Sequence, residues 1–186
     1  MKTFLTAIAL VSTLLVGAAQ AEVFYAGEKS GIWQTFGLTG DGSNPVCLAM
    51  AEWPDGSDIQ YVKDLADGEL YVRIYNVDWD ITDSPGTEVQ ARVNFYKDDQ
   101  FTAGGTAPLI VVNHNTVVLA NLEPTKFTPA FMENHVMRVV MPGTTSNIAV
   151  ALNGSSDAVM NMAECMVEYD MKDPSEKTPT VPGRGA

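Results

Sequence analysis

Two short patterns in this chain could hold a soft metal. His135-Val136-Met137 and Met160-Asn161-Met162 each set two donor groups two residues apart, and seven of the nine methionines fall between positions 132 and 171. Imidazole and thioether ligands suit Cu(I), and a His-x-Met on a strand puts both side chains on one face. The same residues read equally well as core. Met137, Val139 and Met141 alternate along one strand, Met162 and Met166 fall on the buried side of a helix, and methionine commonly fills core gaps. The core reading leaves the protein without a cofactor. Copper on His135, Met137, Met160 and Met162 is the alternative.

Other candidates give less. Asp78, Asp80 and Asp83 offer closely spaced oxygens for Ca²⁺, yet their loop lacks the EF-hand order and its terminal Glu. It reads as a solvated acidic loop, as does Asp55-Gly56-Ser57-Asp58. The two histidines, His114 and His135, lie outside any Gly-x-Ser-x-Gly or His-Glu-x-x-His context, so no catalytic residue is assigned and no enzyme is expected. Tyr71 and Tyr75 flank Arg73 on the face of a strand opposite Leu70, Val72 and Ile74. Exposed, the three would form a contact patch for a protein or small ligand; covered, they belong to a second buried face.

The elements that position these residues follow from hydrophobic periodicity. Segments 69–77 and 88–96 alternate apolar and polar side chains, the period of a half-buried antiparallel strand. Further strands are expected at 32–38, 46–53, 135–141 and 147–152, with a hairpin pairing 109–112 and 116–122 around His114-Asn115. Thr128 followed by Pro129 predicts the start of a short helix near 129–134. Ser155 or Ser156 caps a longer helix over 157–169, on which Ala158, Met162, Cys165 and Tyr169 share one face. The whole reads as mostly β: an antiparallel β-sandwich or partly open barrel, with a C-terminal helix packed on it.

Residues 1–21 read as a cleaved signal peptide: a positive end at Lys2, an apolar stretch over 4–16, and Ala19-Gln20-Ala21 before Glu22. The stretch is shorter than the roughly 20 residues that cross a bilayer, so no integral membrane segment is expected after cleavage. The location is then periplasmic or secreted. Residues 22–169 form one β-rich domain, and 170–186, with three prolines and no apolar period, form a disordered polar tail. In an oxidising compartment an even count of cysteines favours a bridge, here Cys47–Cys165, with two buried thiols or a thiol nucleophile as the competing readings. The formal net charge of −12 excludes a basic nucleic-acid binder.

Trp33 ahead of the turn Gly40-Asp41-Gly42, Cys47 in the next strand, and the closing strand, turn and helix start over 148–158 resemble the invasion-associated locus B family of exported bacterial proteins. The family usually carries another cysteine just after the tryptophan, where Thr35, Phe36, Gly37 and Leu38 stand here. The resemblance implies a periplasmic or secreted β-rich protein without enzymatic activity, and such a protein is expected here to act by binding an unidentified protein or ligand. In some pathogens the family is linked to entry into host cells.

Overall fold

Side chains that alternate along a strand put one apolar face on it, and most of this chain's ten strands turn such a face to a shared core. The structure, a computed structural model, describes residues 21–40, 43–141 and 147–172. The signal peptide expected at 1–21 and the tail expected at 170–186 thus lie almost wholly outside the described residues. The elements run β1 (Glu22–Ala26), β2 (Trp33–Gly40), β3 (Ser43–Glu52), β4 (Asp58–Asp64), β5 (Leu70–Tyr75), β6 (Glu88–Lys97), β7 (Gln100–Asn113), β8 (Thr116–Leu119), α1 (Pro124–Glu133), β9 (Val136–Val140), β10 (Asn147–Ala151) and α2 (Ser155–Met171).

All ten strands join one open antiparallel sheet in the order β1-β2-β3-β4-β5-β8-β7-β6-β9-β10. The expected mostly β, antiparallel domain with a C-terminal helix is what the structure shows, its strands joined in one open sheet. The sheet curls, and residues from both its ends share one core: Trp33, Ala49 and Ile59 with Val139, Ile148 and Val150. A smaller cluster of Phe36, Leu48 and Val62 forms on the opposite face of β2 to β4.

The helices close the core. Phe127 and Phe131, four residues apart, are the buried side of α1. Phe131 is fully buried, edge-on to Trp33 with ring centroids 5.4 Å apart. The helix begins five residues before the expected position, at Pro124, which takes the helix-start role expected of Pro129. Pro129 sits inside the helix, where those two aromatic anchors outweigh the backbone bond it cannot donate.

α2 also starts early. Gly154, not a serine, stands at the cap with φ +88°, and a Cβ there would fall 2.7 Å from the Ser30 carbonyl oxygen. Ser155 lies within the helix, fully buried, and its hydroxyl donates to the Phe131 carbonyl at 2.8 Å. Thr35 on β2 donates to the Ala158 carbonyl at 3.0 Å. Ala158, Met162 and Cys165 point at the core, and Tyr169 packs on Phe24. Cys165 is bonded to Cys47 of β3, with Cα atoms 6.1 Å apart and a sequence separation of 118. Among the described residues no helix is long and apolar enough to cross a membrane.

Candidate binding cleft

The sheet divides at the end of β8. Ala120 donates to the Pro108 carbonyl at 2.9 Å, the last bond from this chain segment to β7. Asn121 then takes a positive φ of 51°, and Leu122 donates instead to Leu70 of β5 at 3.4 Å. Asparagine enters this left-handed region more readily than most residues. The chain leaves β7, and Pro124 opens α1. The half of β7 from residue 100 to 108 continues with β6 on one side and, among the described residues, no strand on the other.

The space left between this half-strand and α1 is a cleft of about 700 Å³. Its apolar wall is Val93 and Phe95 of β6, Leu122, and Phe127 and Ala130 of α1. Its floor is Ala103 to Ala107, a stretch with two adjacent glycines. Gly104 has no room for a side chain, since a Cβ would lie 2.7 Å from the Asn94 amide oxygen; a Cβ on Gly105 would meet nothing within 4 Å. The wall is rigid. Phe127 meets Phe95 edge-on at 5.4 Å and stacks on Phe131 at 5.9 Å, and Tyr61 stacks on Phe131 at 4.7 Å. The Tyr61 and Thr128 hydroxyls lie 2.6 Å apart, pinning α1 to β4, and burial pushes the Tyr61 phenol up. At the mouth, the Lys126 ammonium donates to the Glu123 carboxylate at 2.7 Å; this bond and one from Thr125 hold that carboxyl below its usual range.

The four proposed copper ligands differ in burial, although Met137 and Met162 belong to one core cluster. His135 is half-exposed and its Nδ1 lies 3.2 Å from Asp98 at the β6–β7 turn. Met137 is fully buried on β9, and Met162 is buried on α2. Met160, two residues away on the helix, is 61% exposed, so Met160 and Met162 point in different directions. Among the described residues no three His, Cys, Asp or Glu side chains come together as a metal cluster, in the loop of Asp78, Asp80 and Asp83 or elsewhere. The His114 carbonyl accepts from the Ile81 amide, tying the hairpin loop to that acidic loop.

Tyr71, Arg73 and Tyr75 share a face of β5 as expected, and all three are half-buried. Tyr71 packs against the small cluster of Phe36, Leu48 and Val62, and burial followed by the nearby Asp64 charge pushes its phenol up. Arg73 donates to Asp58 Oδ1 at 2.9 Å, to which Gln60 also donates at 3.2 Å. The Asp58 side chain is fully buried, and its Oδ2 has no hydrogen-bond partner. Burial raises its pKa, with Arg73 and Gln60 pulling the other way. Asp58 was expected in a solvated loop; the structure places it instead at the start of β4, beneath Arg73.

Compared with known proteins, the chain matches no family model, no curated protein and no solved structure.

Proposed function

We propose that this chain is an exported, non-enzymatic binding protein of the invasion-associated locus B type, working in the periplasm or outside the cell. Its ligand sits in the cleft between β7 and α1. The cleft carries the reading. A volume of about 700 Å³ falls within the few hundred to about 1,000 Å³ of sites that enclose small ligands. An apolar wall with a few polar groups at the rim is the usual make-up of such sites. The charged side chains lining it, Lys126 and Glu123, pair with each other at 2.7 Å at its mouth. The Cys47–Cys165 pair supports an oxidising location.

Titration of the purified protein with N-phenyl-1-naphthylamine, a neutral apolar dye whose fluorescence rises out of water, tests the site. One saturable equivalent should bind, and Ala130→Trp, which fills the cleft from α1, should remove the signal without lowering the melting temperature. Equal binding by this variant would overturn the reading.

A further inference from the structure

The cleft has a main-chain side as well as an apolar one. Along an antiparallel strand the N–H and C=O of successive residues point alternately to the two neighbours. Val111 exchanges bonds with Thr87 and Gly86, on the β6 side. Pro108 offers its carbonyl to Ala120, on the β8 side. Counting back from Pro108 by twos, Thr106 and Gly104 also turn their N–H and C=O away from β6, towards the side where β8 has ended. Among the described residues no hydrogen bond forms to these four groups. Pro108 stands where the pairing with β8 stops, and the N–H it lacks would have faced the same side.

We infer that the cleft takes an extended segment of another polypeptide, which adds a strand along the free edge of β7 at Gly104 and Thr106 and lays its apolar side chains against Phe127 and Ala130. This rests on the cleft being the ligand site. Unpaired edges template strand addition, and proteins that shield such edges place lysine, inward-pointing charge or a covering helix there. Positions 103–107 read Ala-Gly-Gly-Thr-Ala, with no charge and no bulky side chain in the way of an approaching backbone. α1 stands off across the cleft instead of covering the edge. Charge selects the occupant. A second copy of this chain would bring −12 against −12, which opposes self-association, so the segment is neutral or basic and belongs to a different protein.

The test uses the dye-loaded protein and a nine-residue peptide, acetyl-Lys-Val-Thr-Val-Lys-Val-Thr-Val-Lys-amide. The peptide should displace the dye at one equivalent and slow hydrogen exchange at the Gly104 and Thr106 amides. Its fully N-methylated counterpart, with the same side chains and no backbone donors, should bind roughly tenfold more weakly or worse. Thr106→Pro removes one outward N–H and spares the ladder to β6, so it should keep the fold and the melting temperature while losing the peptide, followed by calorimetry without dye, to a similar extent. Equal binding of the N-methylated peptide, or equal peptide binding by Thr106→Pro, overturns strand addition. Dye binding with no displacement by the peptide overturns it too and leaves the cleft reading standing. Failure of the dye itself overturns both.

Discussion

Asp58 and Phe131 show what single residues decide here. Asp58 is a buried carboxylate with one oxygen bonded to Arg73 and Gln60 and the other without a partner. Its pKa is raised on folding, so the folded state holds the proton more tightly than the unfolded one. Its contribution to stability therefore improves as the pH falls through the raised folded value and is complete below the ordinary 3.8. Urea unfolding of the wild type and Asp58→Asn from pH 7 to pH 4 should show the difference moving in the wild type's favour on acidification. A constant difference would contradict the raised pKa. Phe131 is fully buried among Trp33, Tyr61 and Phe127. Phe131→Ala should cost about 3–5 kcal/mol in the same measurement, through lost contact and the cavity left behind. The loss should also loosen α1 and weaken dye binding, because Phe127 stacks on the ring removed.

Strands that alternate cleanly and bury one face were legible in the sequence. Leu70, Val72 and Ile74 are buried on β5, and Ala91, Val93 and Phe95 on β6, because period-two patterning and one-sided burial are the same fact seen twice. The buried face of α2 was legible for the equivalent reason at helical period, and with it the direction of Cys165. Three stretches were not. β1 packs on the sheet with no residue fully buried, so it lacks the pattern. β4 buries both Tyr61 and Val62, on opposite faces, because the small outer cluster covers Val62, and this erases the alternation. The 100–108 half of β7 contains two glycines and a proline and reads as loop, although β6 pairs with it as far as Gln100, with one register shift between Phe95 and Tyr96. That unread half forms the floor of the cleft. Its signal in the sequence is a β-competent run broken by small residues, where a backbone is left open to approach. At the cap of α2, Gly154→Ala should cost at least about 1 kcal/mol, since alanine resists the positive φ and its methyl meets the Ser30 carbonyl. Thermal unfolding followed by circular dichroism measures this loss.

The molecule as a whole is an open sheet that must be held in its curl. α2 follows β10 at one edge and packs across β1, β2 and β3 at the other, spanning the seam between them. The Cys47–Cys165 bond fastens that helix to the sheet over 118 residues of chain. A loop of this length lowers the entropy of the unfolded chain by an amount worth roughly 4–5 kcal/mol. Replacing both cysteines with serine should lower the urea midpoint accordingly, with little change at the cleft, which lies between other elements. At the opposite side of the sheet the short β8 and the turn at Asn121 leave β7 half paired, and that opening is where the account places recognition. The most direct test needs no ligand. Residue-resolved amide hydrogen exchange on the free protein should find Gly104 and Thr106 exchanging fast, while Gly105 and Ala107, whose amides face β6, are protected. Protection of Gly104 and Thr106 equal to that of Gly105 and Ala107 would mean that the edge is already covered, and would contradict the account.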